Sequence, residues 1–259
     1  MALAVEPKGK LTLLPSAKTP AKTRLEDYNI LIHGRPKVGK TAVAAQFDSP
    51  IFLATEAGTN TIEVYQVPIP DWPTFLAVCA EIVQGNHKYK TVVIDTISNL
   101  FRACEEYVCT RAKITHPSDL EWGKGYAMVR DEFQRALTKL SLLPYGLVCI
   151  AHSDDVEIKT RTGNITRTVP KLPSAARDTI VPMADFILYF ASELTKEGDK
   201  RTIRTRPSEN WEAGNRFEVD EFPAELPMGN KPVEAYAEFK RAFETAIKIK
   251  AQKEVASRG

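Results

Sequence analysis

Eight residues, Gly34-Arg35-Pro36-Lys37-Val38-Gly39-Lys40-Thr41, follow directly on the apolar run Tyr28-Asn29-Ile30-Leu31-Ile32-His33, and no other stretch restricts the chain as tightly. The run reads as a buried strand, and the Gly-x-x-x-x-Gly-Lys-Thr spacing after it is that of a phosphate-binding loop. Gly34 and Gly39 are expected to take backbone angles that a side chain forbids. Successive N–H groups can then turn inward around an anion, at the start of a helix near Lys40. In that arrangement Lys40 reaches the β- and γ-phosphates and the Thr41 hydroxyl binds Mg²⁺. ATP and Mg²⁺ are therefore the expected ligands.

The chain has 259 residues, 43% of them hydrophobic, enough for one sizeable core with tails. Its net charge of +2 does not by itself announce a nucleic-acid partner, but the charge is uneven. Residues 1–24 hold Lys8, Lys10, Lys18, Lys22 and Arg24 against Glu6 alone, and residues 240–259 hold six basic groups against Glu244 and Glu254. The expected division is a flexible basic arm over 1–25, a core over 26–230, and a C-terminal helix with a basic tail over 231–259. Within the arm, Leu11-Thr12-Leu13-Leu14 is either a few leucines in a disordered tail or a strand that adds to a neighbouring subunit. The cysteines at 79, 104, 109 and 149 have no Cys-x-x-Cys spacing, which suits a reducing compartment and offers no metal site. No apolar stretch approaches the ~18 residues that cross a bilayer, and no cleavable leader is evident, so a cytosolic (host-cytoplasmic, if phage-encoded), membrane-free protein is expected.

From Tyr28 onward strand and helix signals alternate, which argues for an α/β fold with a mainly parallel sheet covered on both faces. Strands are expected at 28–33, 51–55, 91–95 and 146–151, with helices over 73–84, 97–113 and 126–143. Val156 and Ile158 then alternate with charged residues, and Thr162-Gly163-Asn164 turns the chain into Ile165–Val169, an exposed hairpin. Further strands are expected at 186–190 and 201–206, and a last helix over 232–253.

A phosphate loop needs a carboxylate at the end of a buried strand to hold the Mg²⁺ shell, directly or through water. Asp95 closes Thr91-Val92-Val93-Ile94 and is the candidate, with a helix N-cap as its alternative role. Many ATPases place a catalytic glutamate immediately after this aspartate, but here the next residue is Thr96. Glu56, which follows Phe52-Leu53-Ala54-Thr55, is the candidate for orienting and deprotonating water, unless it is an ordinary loop glutamate. His152 ends the fourth strand at the same edge and is the candidate γ-phosphate sensor.

A phosphate loop, a strand ending in Glu56, a strand ending in Asp95 and a strand ending in His152, in this order, resemble the three-layer αβα core of RecA-like P-loop NTPases. Over roughly residues 26–230 the chain looks like the phage nucleotide-binding proteins that include core-only RecA-like single-strand annealing recombinases. The resemblance implies an oligomeric, Mg²⁺-dependent and DNA-stimulated ATPase. Its implied partners are single-stranded DNA, further copies of the chain in a ring or filament, and an accessory single-stranded-DNA-binding protein. By position, the DNA-contacting loops correspond to about 114–125 and 153–177. The second holds Lys159, Arg161, Arg167, Lys171 and Arg177 with no acidic residue from 158 to 177, either a phosphate track or a solvated hairpin. Trp122 and Tyr126 near the first are available for base stacking or for the core. Gly214-Asn215-Arg216-Phe217 resembles the Lys-Asn-Arg-Phe segment that reaches a neighbour's nucleotide in ring-forming relatives. The family's lysine is replaced here by Gly214, leaving Arg216 to act in trans or to be a surface arginine.

Two other roles remain open. One is a replication ATPase acting as helicase or helicase loader, where Thr96 counts against the AAA+ class but not against a ring helicase. The other is a small-molecule kinase, for which neither acceptor pocket nor lid is visible in the sequence.

Overall fold

The computed structural model describes residues 15, 17–160, 163–196 and 198–256, so the Leu11–Leu14 segment and Arg161 lie outside the described residues. Along the chain the elements are β1 (Asn29–Gly34), α1 (Lys40–Ala44), β2 (Pro50–Ala54), β3 (Tyr65–Pro68), α2 (Trp72–Gln84), β4 (Thr91–Asp95), α3 (Ile97–Ala112) and α4 (Lys124–Ser141). They continue with β5 (Gly146–Thr160), β6 (Gly163–Pro170), α5 (Ser174–Met183), β7 (Phe186–Thr195), β8 (Gly198–Arg204), β9 (Gly214–Asn215), β10 (Glu225–Pro227) and α6 (Pro232–Ala256).

The main sheet runs in the order β10-β8-β7-β1-β5-β4-β2-β3, with β6 paired to β5 and β9 to β7. From β7 through β3 all neighbours are parallel, whereas β8, β10, β6 and β9 join antiparallel. Parallel strands need helical crossovers, and helices on both faces make both sides of each inner strand apolar. Leu31, Leu53, Ile94 and Cys149 point into a core shared with α2, α3, α4 and α5. Their neighbours Ile30, Ile32, Phe52, Val93, Val148 and Ile150 point into the opposite core, with Val43 of α1 and Phe239 and Phe243 of α6. The result is the three-layer α/β architecture expected from the alternating pattern. Helix α6 belongs to the packed body, its Phe239 ring meeting Phe186 edge-on at 5.3 Å.

Three differences from the sequence expectation bear on function. The fourth strand does not end at the sheet edge: β5 continues to Thr160 and forms the hairpin with β6 without a break. The short strand β3 was not anticipated, because Tyr65-Gln66-Val67-Pro68 is mostly exposed and proline-bearing, a composition that an edge strand tolerates. Residues 174–177 are not loop but the start of α5, which follows Pro173.

Parallel register collects the chemistry at one edge. Gly34 lies beside His152 and Phe190, and Asp95 lies between Ala54 and Ile150. Phosphate loop, Asp95, the exit of β2 and His152 therefore share the carboxyl edge, where ligands of open α/β sheets bind.

Candidate functional site

The loop between β1 and α1 is built by close approach and by left-handed residues, in different places. Gly39 has φ 105° and Lys37 φ 65°, and together they wrap the loop. Gly34 is not at positive φ, contrary to expectation. Its requirement is space, since a Cβ there would sit 2.6 Å from the Phe190 carbonyl oxygen. Helix α1 is only five residues long. Val38 turns into the core, while Pro36, Lys37, Gly39, Lys40 and Thr41 line a cavity of about 420 Å³ with Glu56, Gly58, Thr61, Asp95 and His152. Arg35 turns away and pairs with Asp155 at 3.4 Å.

Lys40 is buried, and its Nζ donates to the carbonyls of Gly34 and Arg35, both at 2.9 Å. Burial lowers its pKa, and the charges of Asp95 and Glu56 partly oppose that shift. The Thr41 hydroxyl donates to Asp95 Oδ2 at 2.7 Å on the cavity floor. Burial raises the Asp95 pKa, against the Thr41 hydrogen bond. Gly58 closes over this pair, for a Cβ there would stand 3.2 Å from Asp95 Oδ2 and 3.7 Å from Thr41 Oγ1.

These residues fit a nucleotide with Mg²⁺. The volume is that of a small-molecule site, and a buried ammonium stands beside a hydroxyl paired to a carboxylate. Among the described residues no three His, Cys, Asp or Glu side chains converge on a metal. Mg²⁺ is commonly held by one or two protein oxygens, waters and substrate phosphates. Thr41 and Asp95 would hold the ion, and Lys40 with the loop N–H groups the phosphates.

Glu56 and His152 meet at the cavity wall, with His152 Nε2 3.7 Å from Glu56 Oε1. The other carboxylate oxygen of Glu56 accepts from Asn99 Nδ2 at 3.0 Å and stands 3.5 Å from the Thr96 hydroxyl. Asn99 was missed by sequence reasoning because nothing in its own segment signals a contact with residue 56. His33 was missed too. It is wholly buried behind the loop, where its Nδ1 accepts from the Ser153 hydroxyl at 2.9 Å and its Nε2 donates to the Glu212 carbonyl at 2.6 Å. The carbonyl can only accept, so Nε2 carries the proton of the neutral ring. Burial holds the His33 pKa down to about 4.

The four described cations assigned to DNA, Lys159, Arg167, Lys171 and Arg177, do not form one stripe. Antiparallel register sets Val156 opposite Arg167 and Lys159 opposite Asn164, so Arg167 and Lys159 lie on opposite faces of the hairpin. Lys159 shares its face with Asp155 and Glu157. Arg167 and Lys171 line a groove of about 410 Å³ with Asp154, Val156, Ile158, Val169 and Leu172, and Arg167 Nε is buried there without a hydrogen-bond partner among the described residues. Arg177 also borders the groove but sits on α5, where it is ion-paired to Glu212. Trp122 is 91% exposed at φ 59°, which removes it from the core, and Tyr126 is half exposed. Arg216 is not near the cavity of its own chain. It pairs with Asp185 at 2.7 Å and donates to the Pro182 carbonyl at 3.0 Å, at the opposite sheet edge.

Fold and cavity together define a phosphate-loop nucleotide-binding domain of the α/β class. The family model described as AAA domain matches residues 26–217, and the chain belongs to that family. It is 25% identical over 217 residues to the SPbeta prophage-derived uncharacterized protein YorG of Bacillus subtilis strain 168. That match covers 80% of this chain and 65% of YorG, so the chain spans less than two thirds of its relative's length. The KaiC-like protein PH0186 of Pyrococcus horikoshii OT3 superposes with a TM-score of 0.42 at 15% identity, over 80% of this chain and 88% of that one. No helix among the described residues is long and apolar enough to cross a membrane.

Proposed function

We propose that this chain is an ATP-hydrolysing protein that binds single-stranded DNA and, as an oligomer, promotes DNA annealing or recombination. The observation that supports it is the course of β5, which lines the nucleotide cavity with His152 and, further along, the hairpin groove with Val156 and Ile158. One strand thus carries both surfaces. Lys40 and the loop N–H groups would hold the phosphates, and Thr41 and Asp95 would hold Mg²⁺. Bound Mg²⁺ neutralises charge that develops on the phosphoryl oxygens. Glu56 orients a water and takes its proton, and His152 beside it senses the γ-phosphate. Arg167 and Lys171 contact the DNA backbone, the apolar groove wall takes sugar or base, and Trp122 offers a ring for stacking. Arg216 enters only across a subunit junction, after leaving Asp185. A prophage origin, which belongs to YorG by its name, suits such a role.

The test is the salt dependence of single-stranded DNA binding. Arg167→Ala with Lys171→Ala should weaken binding and flatten the slope of log affinity against log salt by ~0.7 for each lost contact. Lys159→Ala, on the acidic face, should change it little. An unchanged slope in the double variant would remove the hairpin from DNA binding.

A further inference from the structure

We propose that Asn99 is a positioning residue for Glu56. It holds one carboxylate oxygen so that the other faces the cavity. This rests on the assignment of Glu56 as the base that activates water.

Glu56 leaves the end of β2 on a loop, and a loop glutamate has rotamers to spare. A base must stand within hydrogen-bond reach of the water it deprotonates, so a freely rotating carboxylate wastes most of its time. Asn99 removes that freedom. It lies in the first turn of α3, a sixteen-residue helix that starts two residues after Asp95 and whose Ile97 and Leu100 are wholly buried. The neighbouring Ser98 hydroxyl ties the same turn to the Lys171 carbonyl at 2.9 Å. Asn99 is therefore carried by a fixed element.

Its Nδ2 donates to Glu56 Oε2 at 3.0 Å, and the Thr96 hydroxyl stands 3.5 Å from the same oxygen. The amide orientation follows from charge, because an amide oxygen placed there would repel an ionised carboxylate. With Oε2 occupied from α3, Oε1 is the oxygen turned toward His152, at 3.7 Å. Glu56 and His152 line the cavity, and Asn99 does not. Asn99 thus acts on the reaction only through Glu56. Lys40 from the phosphate loop and Asp95 from β4 both interact electrostatically with Glu56.

The experiment is steady-state ATP hydrolysis by the full chain, with nucleotide affinity measured separately using Mg-ADP. Asn99→Ala should lower kcat about ten- to a hundredfold while KM and Mg-ADP affinity stay within about twofold, the size of effect expected when a base is misplaced by about 1 Å. Asn99→Asp keeps the shape but replaces the donor with an acceptor, so it should lose at least as much. Asn99→Ala added to Glu56→Gln should cost nothing further, since a residue that acts through Glu56 has no effect once that base is gone. Near-parental kcat in Asn99→Asp would overturn the inference, because shape alone would then suffice. So would a fall in Mg-ADP affinity matching the fall in kcat, or full additivity with Glu56→Gln. Undiminished turnover in Glu56→Gln itself would instead overturn the assignment of the base, a failure distinct from the others.

Discussion

The phosphate-loop cavity and the β5–β6 hairpin leave the same strand and obey different rules. In the cavity each polar group converges: Lys40 on two carbonyls, Thr41 on Asp95, Glu56 on Asn99. On the hairpin, charges of both signs are spread over two faces, and Arg167 Nε has no hydrogen-bond partner among the described residues. The cavity's polar groups are held by contacts between loop, strand and helix, whereas the hairpin's are spread over two faces. Hydrogen bonds from Glu212 N to the Thr168 carbonyl, from the Ser153 hydroxyl to His33 Nδ1 and from His33 Nε2 to the Glu212 carbonyl tie the two regions together.

If the cavity is as preorganised as its contacts indicate, substitutions there should be costly. Glu56→Gln keeps size and hydrogen bonding but loses basicity, so hydrolysis should fall by roughly two to four decades while ATP still binds. Loss of nucleotide binding in the same variant would make Glu56 structural and blur the contrast with the hairpin.

His33, at the join, predicts a pH dependence. Its folded pKa of about 4 lies below the ordinary 6.5, so the unfolded chain binds the proton first. The stability is fully present above pH 6.5 and is lost as pH falls toward 4, of the order of 3 kcal/mol in all. Urea unfolding at pH 7 and pH 4.5 should show a smaller difference in His33→Gln than in the parent. Equal differences would mean that the ring is not held neutral behind the loop.

A smaller effect is expected at Gly34, where an added methyl meets the backbone of β7. Gly34→Ala should cost about 1–3 kcal/mol by overpacking, read from the unfolding midpoint. An unchanged midpoint would show that the loop and β7 can separate, and that the cavity is looser than the hairpin comparison requires.

What was legible in the sequence follows the same divide. Lys40, Thr41 and Asp95 could be singled out because the loop spacing and the apolar run before each of its strands are local patterns, and parallel register brings these residues to one edge. Glu56 was legible for the same reason, at a strand exit. The hairpin itself was visible in its alternation and its Gly163 turn. The sorting of its cations onto two faces needed the cross-strand register, and Arg177 was misplaced because Pro170 and Pro173 disguised the start of α5. Asn99 and His33 act across contacts of 43, 120 and 179 residues in sequence. Such separations leave no periodic trace in either segment.

The central claim is that the loop from Gly34 to Thr41 binds nucleotide phosphates through a buried ammonium. Calorimetric titration of the purified chain with Mg-ATP, beside Lys40→Ala under the same conditions, tests it most directly. The parent should bind one nucleotide per chain, and Lys40→Ala should lose most of that affinity and all measurable hydrolysis. Equal binding and undiminished turnover in Lys40→Ala would contradict the claim.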